Sequence, residues 1–401
     1  MGGLCSTPLP KYINERNDMK PIYCGFDGLE FAVKAIIPTA LDAALAKTKA
    51  SAKEFRQDQC YIANDVWLVV KESGARGGYA YSCSEANSGN WFFKKPSPGD
   101  AWGVRFSAAS SALALHGLEG LRLRCDAVLK ALGIHAPVEA YSPSRVDFAI
   151  DFLAPDFAVS PKNFVLRYSN TGTSSHDIFE DRKTNGRSGR TTSVTVGKMP
   201  GRQAIIYDKR EEVIVHRKHE WPAIWGRMID GPHAPPLDLT ERATSQIWRV
   251  ELRSGKRHLK DDWAINSWAS LYQMLPRVFE KLMDDLSYCA PTADTNRSRW
   301  PEHDIWKAVR KAVANDLFTH IPNLSPEDYT EVKRAQKLDE LETQKLGLSI
   351  SIAAIEGCYA EKFEAALTAS AANMVRRANT DKRSLHARLD EARIKYAYLR
   401  D

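Results

Sequence analysis

The chain lacks most of the signals that settle function quickly. Its seven cysteines (Cys5, Cys24, Cys60, Cys83, Cys125, Cys289 and Cys358) are odd in number and form no Cys-x-x-Cys pair. That disfavours a zinc site or a disulfide framework and fits a reducing, cytoplasmic setting. No apolar run approaches the roughly 20 residues that cross a bilayer, and the polar stretch Met1–Lys20 has no apolar core of the kind a secretory leader carries. No membrane partner is expected. A Gly-x-x-x-x-Gly-Lys loop is missing, so the chain brings no ATP site of that type. The glycines of Ser73–Gly78 lack the spacing of a dinucleotide fingerprint. His216 and His219 flank Arg217 and Lys218 without forming a convincing metal pair, no histidine-hydrophobe-histidine triplet occurs, and no segment repeats at a fixed period.

What is present is an ordinary globular composition. The 401 residues are 43% hydrophobic and 26% charged, with a formal net charge of +6. This excludes wholesale disorder and mildly favours a polyanionic partner. The first 20 residues read as a loose arm. Strand patterns follow at 22–38, 67–70, 79–82, 102–107 and 146–152, interleaved with helices at 41–55 and 113–132. Residues 162–168 suggest a short helix, 169–190 a polar loop, and 191–196 with 203–208 a hairpin. Residues 222–236 look irregular, and 248–253 is the last strand. Helical patterns then occupy 263–288, 306–317 and 327 to the end. Strands early and helices late predict an α+β fold, with a central antiparallel sheet flanked by helices and a helical C-terminal region, 325–401.

Three of these strands carry polar groups in an ordered way. In Arg145-Val-Asp-Phe-Ala-Ile-Asp-Phe152, Val146, Phe148, Ile150 and Phe152 share one face and Asp147 and Asp151 the other. The two aspartates lie about 13 Å apart along the strand, too far to bind one ion directly unless the strand bends. Asp147 is the better ligand; both read equally as water-facing charges. In Gln203–Glu212, Tyr207 and Lys209 follow Ile205 on one face. A phenol of pKa about 10 is a poor nucleophile at neutral pH unless a metal or a lysine favours the phenolate; a lone strand tyrosine otherwise packs as an aromatic. In Ile247–Arg253, Glu251 is a hard oxygen ligand suited to Mg²⁺ or Mn²⁺, or an ion-pair partner of Arg249 and Arg253. The stretch Arg182–Lys218 holds ten Lys or Arg against three acids, suited to releasing counterions from a nucleic-acid backbone or simply to solvation. Trp91, Phe92 and Phe93, before Lys94 and Lys95, could stack bases or pack a core.

Taken in order, the three motifs resemble the replication initiation factors of rolling-circle plasmids and filamentous phages, the Rep_trans family, which includes some conjugative-element relaxases. The family pattern is an Arg-hydrophobe-Asp-x-Ala-x-Asp strand, a Tyr-Asp/Asn-Lys strand followed by an acid, and an Arg-hydrophobe-Glu strand. Here these are Arg145–Asp151, Tyr207–Glu212 and Arg249–Glu251, with Phe26–Glu30 similar to the opening strand. The resemblance implies a catalytic domain over residues 21–320. It implies Tyr207 as the nicking nucleophile, leaving a 5′-phosphotyrosine link and a free 3′-hydroxyl, with Lys209 in support. It implies one Mg²⁺ or Mn²⁺ held by Asp147 and Glu251, with Asp151 assisting. Arg145, Arg190, Lys198, Arg202, Arg249 and Arg253 are the expected DNA contacts. The implied partners are origin DNA, duplex and single-stranded at the nick, and a host helicase. A homodimer, or duplex reading by the basic C-terminal helices, is a further expectation. A conjugative relaxase of the same chemistry, a hydrolytic metal nuclease, and a non-catalytic DNA-binding regulator are the rival readings.

Overall fold

The computed structural model describes residues 19–167, 181–319, 324–381 and 384–399. The amino-terminal half runs β1 (Lys20–Val33), α1 (Thr39–Phe55), β2 (Gln59–Ala63), β3 (Val66–Val70), β4 (Tyr81–Glu85), β5 (Gly89–Phe93), β6 (Val104–Ala108), α2 (Ser110–Ala131), β7 (Tyr141–Leu153), β8 (Phe164–Leu166), β9 (Arg182–Arg187) and β10 (Arg190–Gly197). There follow β11 (Arg202–Asp208), α3 (Lys209–Val215), α4 (Glu220–Asp230), α5 (Arg242–Ser245), β12 (Ile247–Gly255), α6 (Trp268–Asp285), β13 (Leu286–Tyr288), α7 (Asp304–Asn315), α8 (Pro326–Ile355), α9 (Phe363–Thr380) and α10 (Leu385–Lys395). Among the described residues, eleven strands make one sheet in the order β2-β3-β4-β5-β6-β1-β7-β12-β11-β10-β9. Every neighbouring pair in it is antiparallel. The fold is α+β, with the helical C-terminal region that the sequence predicts.

Both faces of the sheet are covered, but unequally. On one face Phe31, Val146, Phe148, Ile150, Val194, Ile206, Val250 and Leu252 meet α2, α6 and α7 in the main core. Each fully buried side chain of this size contributes roughly 1.5–3 kcal/mol. On the other face a smaller cluster joins Ile22, Tyr23 and Ile247 to Trp221 and Trp225 of α4 and Tyr329 of α8. Tyr329 is tied down by Ser111, with 2.9 Å between the hydroxyls, and Arg227 pairs with Asp328 at 2.8 Å. The first turn of α8 is therefore packed against the sheet domain.

Several local expectations give way to tertiary pairing. Of the short helix expected at 162–168, residues 162–167 form none: Pro161–Asn163 make a 3₁₀ turn, and Phe164–Leu166 pair with Leu286–Tyr288 in a separate two-stranded sheet; residue 168 lies outside the described residues. Within the loop expected at 169–190, the polar stretch 182–187 is a strand, because β10 offers it a full ladder; residues 169–180 of it lie outside the described residues. The irregular segment 222–236 contains most of α4, an amphipathic helix that buries Trp221 and Trp225. Strands β2 and β5 carry no strong alternation and exist through their hairpin partners. The C-terminal helical stretch is broken near 356–362 and again after Thr380. Among the described residues, no helix is long and apolar enough to cross a membrane.

Candidate active site

The face of the sheet opposite the main core brings the motif residues together. On β7, Val146, Phe148 and Ile150 enter the core, so Asp147 and Asp151 must face the other way. Neither is a water-facing charge: Asp147 is 2% exposed and Asp151 fully buried. In register, Tyr207 of β11 lies opposite Arg249 of β12, and Arg249 lies opposite Asp151 of β7. One pleat along, Ile205 lies opposite Glu251; one further, Arg253 lies opposite Asp147. Glu251 is thus the diagonal neighbour of Tyr207 on one side and of Asp147 on the other.

A bulge adds a residue that the strand pattern does not flag. Between Phe26 and Gly28 the β1–β7 register shifts by one. Phe26 and Leu29 both enter the core, so Asp27 and Gly28 both sit on the polar face. Gly28 lies under the Asp147 carboxylate: a Cβ there would come within 2.3 Å of Asp147 Oδ2. Asp27 receives Arg249 Nη1. The arginine also donates Nε to Asp151 Oδ1 at 2.5 Å and Nη2 to Asp151 Oδ2 at 2.7 Å, while Trp225 Nε1 donates to Asp151 Oδ2 at 2.8 Å. Its guanidinium lies over the Trp221 ring at 4.1 Å and the Tyr23 ring at 5.4 Å. Burial opposes the guanidinium's charge, but Asp151 and Asp27 overcome it and hold Arg249 well above its ordinary value.

Tyr207 is half-buried, and Lys209 Nζ stands 3.5 Å from its oxygen. Lys209 begins α3, whose N-cap is Asp208 accepting from Glu211 N at 2.9 Å. The helix start turns the lysine back toward the sheet, where it is buried, pairs with Glu212 at 2.7 Å and lies 4.8 Å from the Trp221 ring centre. Burial, then the neighbouring Arg249, lowers the lysine's pKa. Burial also pushes the Tyr207 phenol well above its ordinary 10, with Glu251 adding to the rise and Arg249 opposing it. In this state the phenol stays protonated. Burial works to raise Asp27, but Arg249 with Lys209 behind it pulls that carboxyl down to about 2.

Asp147 and Glu251 are the electrostatically awkward pair. Burial, then the like charge of Glu251, pushes Asp147 up to about 7 against the pull of Arg145. Arg145 Nη2 lies 2.6 Å from Asp147 Oδ2, and Arg253 Nε lies 2.6 Å from Glu251 Oε1 and 3.8 Å from Asp147 Oδ2. Glu251 Oε2 is buried with no hydrogen-bond partner among the described residues. An orphaned carboxylate oxygen beside a second, proton-hungry carboxylate suits a hard divalent cation. Among the described residues no three His, Cys, Asp or Glu side chains gather as a metal cluster. Mg²⁺ sites built from one or two carboxylates, water and substrate phosphate need no third.

No family model matches the chain, and no curated protein is recognisably similar to it in sequence. Among solved structures it is similar to a rolling circle replication initiator protein from Geobacillus stearothermophilus, at 12% identity and a TM-score of 0.37, over 75% of this chain and 99% of that one. A superposition that loose fixes neither the path of the sheet nor the chemistry on it.

Two expected DNA contacts are displaced by the fold. Arg249 is fully buried between Asp151, Asp27 and the aromatic rings, and so cannot reach a phosphate. Arg202 is buried on the core side of β11, paired with Asp285 at 2.7 Å. Arg249 keeps the polar-face parity of its strand but lies under α4, whereas Arg202 shares the parity of Ala204 and Ile206 and so points into the core. Asp151 has both oxygens committed to Arg249 and Trp225, which makes it a support for the arginine. Arg190 is partly exposed and pairs with Asp208 and Glu211; Lys198 is exposed, 3.8 Å from Asp181. Arg145 and Arg253 sit on the polar face beside the carboxylates. Trp91 and Phe93 pack in the core, while Phe92 stacks against Arg105 at 4.3 Å. Asp27 is the site residue that alternation misses. The signal was the Asp-Gly pair inside a strand, since an internal glycine often marks a bulge.

Proposed function

We propose that the chain is a site-specific DNA nickase and strand transferase that initiates rolling-circle replication, as its likeness to the Rep_trans pattern implies. One observation carries this reading: a half-buried phenol, with a lysine 3.5 Å from its oxygen, shares a sheet face with Glu251 and Asp147 on the next two strands. Tyr207 Oη attacks the scissile phosphorus. A phosphorus–oxygen bond to tyrosine forms as the bond to the 3′ oxygen breaks, and that oxygen takes up the proton the phenol gives up. The step is a transesterification, so the reverse attack rejoins strands.

Lys209 offers its ammonium to the phenolate as it forms, in a pocket where burial makes that charge count. Arg249, locked by Asp151, which Trp225 holds in turn, keeps β12 and Asp27 in place beside the lysine. Asp147 and Glu251 would hold the Mg²⁺ or Mn²⁺ ion, which when bound supplies positive charge against the phosphate oxygens. Arg145 and Arg253 stand where they can hold those carboxylates apart from their shared charge.

The test uses the full chain, DNA from its own replicon and Mn²⁺. Denaturing gels should show protein-linked DNA, and mass spectrometry should place the nucleotide on Tyr207. Tyr207→Phe should form no adduct. Undiminished nicking by that variant, or an adduct on another residue, would refute the assignment. Cleavage without any adduct would favour a hydrolytic nuclease.

A further inference from the structure

The row of residues that contains Tyr207 does not stop at β11. Across β10 and β9 the register continues as Tyr207, Ser193, Asn185. The neighbouring row, which contains Glu251, continues as Ile205, Thr195, Lys183. Val194 and Val196 are buried in the main core, so Ser193 and Thr195 face the same side as Tyr207. Asn185 Nδ2 donates to Ser193 Oγ at 3.2 Å, which places the amide on that side too. Strands lie about 4.8 Å apart, so these groups extend some 10 Å beyond the tyrosine's own strand.

This wing is built unlike the rest of the sheet. All six residues of β9 are exposed, and between Arg182 and Lys198 the chain has five basic residues and no acid. Aromatic residues are missing from the same segment. A shallow concavity of about 290 Å³, lined by residues 184–191, opens at the tip of the ribbon. Arg187 and Arg190 are held by Glu211 and Asp208, so the groups facing the platform are an ammonium, an amide and two hydroxyls. Such groups bind phosphates and sugars; without aromatics they offer bases nothing to stack on.

We infer that the β9–β10 ribbon is a strand-binding subsite, in which Lys183, Asn185, Ser193 and Thr195 hold the sugar–phosphate backbone of the nucleotides on one side of the scissile phosphate. The inference rests on the reading of Tyr207 as the nucleophile, because the platform is the continuation of the tyrosine's own row. The occupant is a single strand: the polar groups form two adjoining rows that run outward from the nucleophile's own row, a track wide enough to follow one sugar–phosphate backbone.

The experiment measures affinity of the full chain for two series of oligonucleotides around its nick site, one lengthened 5′ and one lengthened 3′, each extension offered single-stranded or annealed. Wild type should gain affinity along one series only, with the single-stranded extension. Lys183→Ala/Asn185→Ala, both surface changes whose folding a thermal melt verifies, should lose roughly tenfold of that gain. Its log–log salt slope on the long oligonucleotide should shrink by about 0.7, one phosphate contact on a single strand. A variant that keeps the whole gain, a wild type without any length dependence, or a preference for the annealed extension would overturn the subsite. If the length dependence is lost as expected but no adduct forms on Tyr207, the platform stands and the nickase reading falls.

Discussion

Arg249 reaches Asp27 only because a β-bulge at Phe26–Gly28 turns that aspartate onto the polar face of the sheet. The contact joins β12 to β1 across the intervening β7, where Asp151 holds the same guanidinium from the other side. Three strands are thereby locked in register beneath Tyr207, and the consequences can be measured.

Asp151→Asn should be among the most destabilising polar substitutions in the chain. It leaves a fully buried guanidinium without its bidentate partner, at a cost of about 3–5 kcal/mol. Denaturant unfolding should show a lower midpoint with an unchanged slope. Trp225→Phe removes one bond to the same carboxylate and should cost less, about 1–3 kcal/mol.

Gly28→Ala should impair function far more than it costs the fold. The added methyl would meet Asp147 Oδ2 at 2.3 Å and drive the carboxylate from its place between Arg145 and Arg253. Covalent adduct formation should fall by at least tenfold, while the thermal midpoint drops by the equivalent of about 1–3 kcal/mol.

The stability of chelator-treated protein should depend on Asp147. Its carboxyl titrates near 3.8 when free and at about 7 in the fold. Between those values the native state holds a proton that the unfolded state has lost, so stability falls as pH rises from about 4 to 7. Asp147→Asn should remove that part of the slope, read as the difference between the two melting curves. A divalent ion competes with the proton, so Mg²⁺ should raise the melting temperature more at pH 8 than at pH 5.

Lys209→Met should slow adduct formation by about 10²-fold and move the pH–rate profile toward alkali, because the phenolate loses the ammonium 3.5 Å away. Lys209→Arg should restore part of the rate. A rate and profile like wild type would show that the lysine serves packing alone.

The three motif strands, their alternation and the acids they carry were legible from the order of residues, because a period of two needs no tertiary information. So was the division into an early sheet and late helices, and so was Tyr207 as the phenol next to a lysine. Strands β2, β5 and β9 were not, since their ladders come from partners and not from their own pattern. Nor was the separation of useful from committed arginines. Arg249 and Arg253 occupy equivalent positions on one strand, yet α4 covers the first and leaves the second beside the carboxylates. Asp27 entered the site through one extra residue in a ladder, and Asp151 left the ligand set because a tryptophan and an arginine took both its oxygens. Local sequence sets which way a side chain points along a strand; only the packing of distant segments decides what it meets there.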